Sequence, residues 1–212
     1  MSVADPFTAP GEHARAVTVP YCERGPAPVE SVAAFGFWLF LLSDVVMFSG
    51  LFAAYSVLAD RTAGGPDGLR LFDRSYVLLE TACLLFSSFT CGLCTLAIER
   101  RSVAATYFWA LITFILGAAF LGLELSEFLR MIGEGASPTR SAFLSAFFTL
   151  VGTHGLHVTL GLVWLMAMMA QVATLGFLPI VVRRLFCFTL FWHALDIVWI
   201  GVFTIVYLGA RW

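Results

Sequence analysis

Five long apolar stretches run through this chain of 212 residues, and each of them contains at least one ionisable residue. About 20 apolar residues in a helix span the hydrocarbon core of a bilayer, so each stretch is long enough to cross a membrane. The predicted spans are residues 34–58, 76–98, 103–125, 142–173 and 185–208. The sequence therefore predicts an all-α integral membrane protein, a bundle of five transmembrane helices.

Composition agrees with this prediction. The chain is 60% hydrophobic and 12% charged, whereas soluble domains are about 45–50% apolar and about 25% charged. Residues 1–33 are polar and rich in proline, without the basic start and short apolar core of a signal peptide. We expect a polar tail at 1–33 and one membrane domain at 34–212. The net charge of −2 gives no indication of a nucleic-acid partner, and we expect none.

The candidate functional residues are ionisable residues inside the spans, together with Glu127 just beyond the third span. A charged side chain at the centre of a spanning helix costs about 2.5–3.5 kcal/mol, so such residues normally face the bundle, a cavity or a partner. The candidates are Asp44, Glu80, Glu124, Glu127, His154, His157, His193 and Asp196. We expect them to form an intramembrane polar network or to line a lipid cleft.

The alternating direction of the helices predicts two polar layers, because each helix rises about 1.5 Å per residue. Glu80 lies near the start of the second span, and Glu124 and Glu127 lie at the end of the third. These carboxylates should therefore share a depth near one surface. The residues expected near mid-membrane are Asp44, His154, His157 and Asp196.

Asp44 is expected to point into the bundle, because an ionisable group at this depth is rarely left towards lipid. His154 and His157 lie three residues apart and should share a helix face. We expect Asp44 to form a hydrogen bond with one of these two imidazoles. Ala118 and Gly122 form a small-xxx-small pair, a pattern that lets membrane helices approach closely.

The cysteines give no clear site. Cys91 and Cys94 have the C-x-x-C spacing of redox and zinc motifs, but they lie inside an apolar span with no second Cys/His pair beside them. An odd total of five cysteines argues against a disulfide framework. We interpret these thiols as small packing residues.

The residues alone leave three hypotheses open. The polar groups could be a hydrogen-bond network that fixes helix packing, a proton relay of a small channel or transporter, or the metal site of a membrane metalloenzyme. The spacings His-x-x-His and His-x-x-Asp differ from the Glu-x-x-His of di-iron bundles. We expect no metal ion within bonding distance, about 2.0–2.3 Å, of these histidines or Asp196, and no catalytic residue in the chain.

Three segments resemble subunit III of the haem-copper respiratory oxidases. They are residues 37–50, 152–158 (Gly-Thr-His-Gly-Leu-His-Val) and 191–199 (Phe-Trp-His-Ala-Leu-Asp-Ile-Val-Trp). The cytochrome c oxidase branch of that family typically has seven spans, and it usually has Glu where this chain has Asp44. Five spans with a short tail, together with Glu80, look closest to the cytochrome bo-type ubiquinol oxidase branch.

The resemblance implies an accessory subunit with no cofactor of its own. Haem b, haem o and copper would lie in subunit I, and ubiquinol would be the electron donor of the complex. The chain would pack mainly against subunit I, alongside subunits II and IV, hold phospholipid, and support assembly and sustained proton-pumping turnover. The alternatives within the family are the five-span accessory subunit of a nitric oxide reductase and the subunit of a cytochrome c oxidase.

Charge does not determine orientation, because six arginines fall on each side of the predicted membrane domain. The resemblance implies a multi-pass protein of the bacterial inner membrane, with a cytoplasmic N-terminus and a periplasmic C-terminus.

Overall fold

A computed structural model describes residues 29–62 and 74–209 of the chain. The helices are α1 (Val29–Leu58), α2 (Arg74–Glu99), α3 (Val103–Gly133), α4 (Ala142–Leu175) and α5 (Pro179–Val202), which continues into a π-helical segment, Phe203–Leu208. All five helices are long and apolar enough to span a membrane. The prediction of an all-α bundle with five transmembrane helices is therefore confirmed. Most of the predicted polar tail lies outside the described residues.

The ends of the helices follow local capping chemistry. The Ser141 side chain accepts a hydrogen bond from the Leu144 backbone N–H (3.2 Å), which satisfies one of the free donors at the start of α4. Gly176 follows α4 with a positive φ of 63°, and Pro179 opens α5 at a position that needs no backbone donor. Helix α3 continues beyond residue 125 to Gly133, and α5 begins before residue 185 at Pro179.

Helices α2 to α5 form a closed four-helix bundle. Helix α2 packs against α3 and α5, and α4 packs against the same two helices. Trp192 of α5 fills the middle of this bundle, where a Cβ atom at Gly117 or at Gly161 would lie 3.0 or 2.9 Å from its ring. These two glycines leave the space that the large ring occupies.

Helix α1 packs on the outside of the bundle, over α4 and α5, through large side chains. Its described residues are mostly exposed, and the three buried ones are Leu41, Phe48 and Tyr55, spaced seven apart along one stripe. Ring contacts join this stripe to α4, including Tyr55 against Phe143, with 6.0 Å between centroids. The α1 stripe also contains Asp44, which therefore faces the bundle.

Candidate functional site

Three carboxyl groups and a tyrosine meet inside the bundle. Glu80 of α2 is fully buried, and Glu124 and Glu127 of α3 are 4% and 1% exposed. The three carboxyls lie close enough to interact electrostatically. The Tyr207 hydroxyl donates a hydrogen bond to Glu127 Oε2 (3.0 Å), and Arg130 Nη2 lies 3.9 Å from Glu127 Oε1. The structure thus brings together the three carboxylates that helix direction placed at one depth, and we call these three with Tyr207 the carboxyl cluster.

Tyr207 reaches this cluster from the π-helical segment at the end of α5. A π-helical turn takes one more residue than an α-helical turn and shifts the side chains that follow it. Sequence analysis missed Tyr207 because a regular α-helical pattern gives no indication of this shift.

The position of the Glu124 carboxyl group requires a glycine at residue 155. A Cβ atom at Gly155 would lie 2.6 Å from Glu124 Oε2 and 2.8 Å from its carboxyl carbon. Only a residue without a side chain leaves room for the carboxyl at this point of α4. The described residues give Glu124 Oε2 no hydrogen-bond partner, although the atom is buried.

The expected mid-membrane layer is divided into separate groups in the structure. His154 is fully buried inside the four-helix bundle. Its ring packs against Phe120 and Trp199, with 5.7 and 5.2 Å between centroids. Neither ring nitrogen has a hydrogen-bond partner among the described residues. His154 is therefore surrounded by aromatic rings and takes no part in a hydrogen-bond network of the described chain.

His157 faces α1 instead. Its Nδ1 donates a hydrogen bond to the Thr153 carbonyl (2.8 Å), and its Nε2 lies 3.8 Å from Asp44 Oδ1. This second distance is too long for a hydrogen bond. The prediction that Asp44 hydrogen-bonds to a histidine is wrong in this structure, because the imidazole that Asp44 faces lies just beyond hydrogen-bond range of its carboxylate. Asp44 does face His157, as the stripe on α1 requires.

A third polar group joins α2 and α5. Ser88 Oγ lies 2.7 Å from His193 Nδ1, and Asp196 lies beside both residues. Two tryptophans of α5 make further bonds to α2: Trp192 Nε1 donates to Ser87 Oγ (3.1 Å), and Trp199 Nε1 donates to Thr81 Oγ1 (3.0 Å). Hydroxyl groups of α2 thus accept the hydrogen bonds that these two indole N–H groups of α5 donate.

The structure gives the metal hypothesis no support within residues 29–62 and 74–209, where no three His, Cys, Asp or Glu side chains are arranged to hold a metal ion. Cys91 and Cys94 are buried free thiols. The Cys94 thiol contacts the Thr106 carbonyl (3.6 Å), and Cys91 lies 4.0 Å from Thr189 Oγ1. Each thiol packs against a different neighbouring helix.

The unpaired ring of His154 leads to a prediction about stability. We expect His154→Leu to raise the free energy of unfolding by about 1 kcal/mol. The substitution recovers a desolvation cost of about 1–3 kcal/mol, and it removes aromatic packing worth about 0.5–1.5 kcal/mol. Denaturant titration of the purified chain in micelles measures the change.

The control is His157→Leu, which removes the hydrogen bond to Thr153 and leaves Asp44 without its facing imidazole. This variant should lose stability. A marked loss for His154→Leu would contradict the prediction and would show that its ring nitrogens have a partner inside the bundle.

Comparison with known proteins finds matches along nearly the whole chain. Residues 21–211 match the family described as cytochrome c oxidase subunit III. The chain is 54% identical over 174 residues to cytochrome bo(3) ubiquinol oxidase subunit 3 of Pseudomonas aeruginosa, covering 82% of this chain and 83% of that protein. It is 46% identical over 173 residues to quinol oxidase subunit 3 of Bacillus subtilis, covering 82% and 85%. It is 41% identical over 198 residues to cytochrome c oxidase subunit 3 of Bacillus sp. strain PS3, covering 93% and 96%.

Proposed function

Because the chain belongs to the cytochrome c oxidase subunit III family, we propose that it is the accessory subunit III of a bacterial ubiquinol oxidase of the cytochrome bo type. The observation that carries the proposal is the 54% identity to a cytochrome bo(3) ubiquinol oxidase subunit 3 over 82% of the chain. In this proposal the chain has no catalytic centre. Haem b, haem o and copper lie in subunit I, and ubiquinol delivers the electrons.

Polar groups that the chain itself buries only in part support a role inside a larger complex. The side chains of Asp44 and His157 are 20% and 15% exposed, and His193 is also only half-buried. All three lie in the central part of spanning helices. Lipid tails offer them no hydrogen bond, so such groups normally face a cavity or a protein neighbour. A membrane-embedded subunit I packed against these helices would provide such a neighbour.

The same proposal specifies the neighbouring subunits, the bound lipid and the membrane of the chain. Subunit I is its main neighbour, subunits II and IV complete the complex, and phospholipid occupies the surfaces between helices. The candidate residues Asp44, Glu80, Glu124, Glu127, His154, His157, His193 and Asp196 serve packing, lipid binding and assembly. The complex lies in the inner membrane, with the N-terminus of this chain in the cytoplasm and its C-terminus in the periplasm.

Purification of the full, tagged chain from its own membranes tests the assignment. We expect it to carry a haem-bearing subunit with it, and the complex to oxidise ubiquinol with oxygen. Rapid oxidation of cytochrome c instead would favour the cytochrome c oxidase alternative, to which the relative from Bacillus sp. strain PS3 points. Recovery of the chain alone, with proton transport in liposomes, would contradict the accessory role and favour a channel or transporter.

Asp44→Asn separates an accessory role from a proton relay. Because the redox centres lie in another subunit in this proposal, the initial rate of oxygen reduction should change by less than the tenfold that corresponds to about 1.4 kcal/mol. We expect the loss to fall on assembly, lipid content or lifetime during sustained turnover. Oxygen consumption, followed from the first seconds until the rate decays, measures both quantities.

The matched control is Asp60→Asn, an exposed carboxylate just beyond α1. It should leave both the initial rate and the lifetime unchanged. An immediate and near-complete loss of activity in a fully assembled, haem-replete Asp44→Asn complex would count against the accessory role.

A further inference from the structure

The hydroxyl group of Tyr207 lies inside the protein and donates its hydrogen bond to a carboxyl group. Tyr207 is 9% exposed, and its hydroxyl oxygen lies 3.0 Å from Glu127 Oε2. A side chain can take a proton from a neighbouring group when the two heavy atoms lie about 2.6–3.2 Å apart. The bond is therefore short enough for the phenolic proton to move to Glu127 without the help of solvent.

Glu127 is well placed to accept this proton, because a cation faces its other oxygen. Arg130 Nη2 lies 3.9 Å from Glu127 Oε1, and its positive charge stabilises a carboxylate. The side chain of Glu127 is fully buried, whereas that of Arg130 is 41% exposed. The guanidinium group can therefore remain charged in polar surroundings after Glu127 has become neutral.

Trp199 is an aromatic neighbour of Tyr207, with 6.3 Å between ring centroids. It lies nearer the membrane interior, because Tyr207 is close to the end of the span. Trp199 Nε1 donates to Thr81 Oγ1 (3.0 Å), and that hydroxyl donates to the Val77 carbonyl (2.8 Å). Neither a hydroxyl nor a backbone carbonyl is basic enough to take the indole proton. A tryptophan that has lost an electron here is therefore not stabilised by proton transfer, whereas Tyr207 is.

We propose that Tyr207 is a one-electron redox site, with Glu127 as its proton acceptor and Trp199 as a relay towards the membrane interior. Its oxidants would be radicals derived from oxygen, which are strong enough one-electron oxidants to act on aromatic side chains. This activity goes beyond the proposed function and does not depend on it, because the three residues belong to this chain alone.

The oxidation step conserves atoms and electrons. The oxidant takes one electron from Trp199 and is reduced by one electron. The O–H bond of Tyr207 then breaks: its proton forms an O–H bond with Glu127 Oε2, and its electron restores the tryptophan. The products are a neutral tyrosyl radical, a neutral carboxyl group and the reduced oxidant.

Tyr107 provides an internal comparison. Its hydroxyl also donates a hydrogen bond inside the bundle, but the acceptor is the Met169 carbonyl (2.6 Å). A backbone carbonyl accepts a hydrogen bond but is too weakly basic to take the proton. The two tyrosines therefore differ in the property on which the proposal depends, and a lasting radical is expected only at Tyr207.

The test uses the full-length chain in micelles, with Phe in place of Tyr21, Tyr55 and Tyr76, so that the remaining tyrosines are Tyr107 and Tyr207. These substitutions keep the aromatic rings and remove only hydroxyl groups. The probe oxidant is a ruthenium polypyridyl complex with an alkyl tail, which enters the micelle and is photo-oxidised in the presence of a cobalt(III) ammine. Electron paramagnetic resonance of frozen samples counts tyrosyl radicals, and transient absorption follows their rate of formation.

We expect the tyrosyl signal to survive in the Tyr107→Phe variant and to be lost in the Tyr207→Phe variant. Glu127→Gln keeps the shape of the side chain and one acceptor oxygen but cannot take the proton. Its radical should form about 100-fold more slowly, the lower end of what a positioned proton acceptor contributes. The rate in the unaltered site should also fall in D2O, because a proton moves with the electron. Trp199→Phe should slow the formation of the radical, because it removes the relay.

The control is Asp60→Asn, which changes an exposed carboxylate away from the site and should leave the rate unchanged. Far-UV circular dichroism compares the helix content of all variants. Loss of the signal in Tyr107→Phe would overturn the proposal, and this variant decides the question even where Tyr207→Phe does not fold. An unchanged rate in Glu127→Gln would overturn the role of the carboxylate, and an unchanged rate in Trp199→Phe would overturn the relay.

Discussion

Replacing Trp199 with alanine is expected to destabilise the four-helix bundle by about 3–5 kcal/mol, the largest effect that we predict for a single substitution. The side chain is fully buried. Its ring meets Phe120 edge to face, with 4.6 Å between centroids and an interplanar angle of 86°. Its Nε1 also donates to Thr81 Oγ1. Truncation to alanine would leave a cavity between α2, α3 and α5 and remove this hydrogen bond. Denaturant titration of the purified chain in micelles measures the loss.

Trp38→Ala is the matched control, because Trp38 lies on α1 and is 59% exposed. In the isolated chain it should cost far less than Trp199→Ala. Equal losses for the two variants would mean that the bundle is not packed around Trp199. A third variant, Trp199→Phe, keeps most of the ring but removes the donor, and so separates the packing from the hydrogen bond.

Gly161→Val is expected to destabilise the same bundle by at least about 1–3 kcal/mol, because it overpacks a site that cannot adjust. The new Cβ atom would lie 2.9 Å from Trp192 Cζ3 and 3.3 Å from Phe191 Cε1. The Trp192 ring has little room to move away, because its opposite edge already lies close to α3 at Gly117, where a Cβ atom would stand 3.0 Å from the ring. Both the yield of folded chain and its unfolding midpoint should fall.

Gly122→Val on α3 is the control for this second prediction. A Cβ atom at Gly122 meets nothing within 4 Å. The same change of residue should therefore be tolerated there, with only the small cost of placing a β-branched residue in a helix. Tolerance of valine at both positions would show that the bundle does not pack around Trp192 as described.

Helix number and the convergence of the carboxylates could be predicted from the sequence, because both follow from the length of apolar stretches and the alternation of direction. Residues 76–98 and 103–125 are long enough to span, and a short turn between them reverses the chain. Glu80 and Glu124 then share a depth without any knowledge of side-chain contacts. The structure adds that they also face the same interior.

The partners of each polar side chain could not be predicted in the same way. His154 and His157 lie three residues apart, which separates them by about 60° around a helix at 3.6 residues per turn. This angle directs one ring into the four-helix bundle and the other towards α1. The expected layer therefore divides into separate groups, and a hydrogen bond to Asp44 depends on how closely α1 approaches.

The sequence also could not predict which small residues make close contacts between helices. Ala118 and Gly122 have the spacing of a helix-packing pair, yet both are exposed and Gly122 faces open space. Close contacts occur instead at Gly155 and at the two glycines beside Trp192. Which glycine is used depends on the large side chain that the neighbouring helix places opposite it, and no pattern within a single helix carries that information.

The position of α1 also has a consequence for biosynthesis. Asp44 faces His157, which is 113 residues later in the chain (157 − 44). At about 5–20 residues per second, the ribosome needs roughly 6–23 s to make that interval. During this time α1 is already long enough to enter the bilayer, but its histidine partner has not been synthesised. The strongly apolar composition of α1 must therefore secure its insertion alone, and the bundle can close around Asp44 only after α4 has entered the membrane.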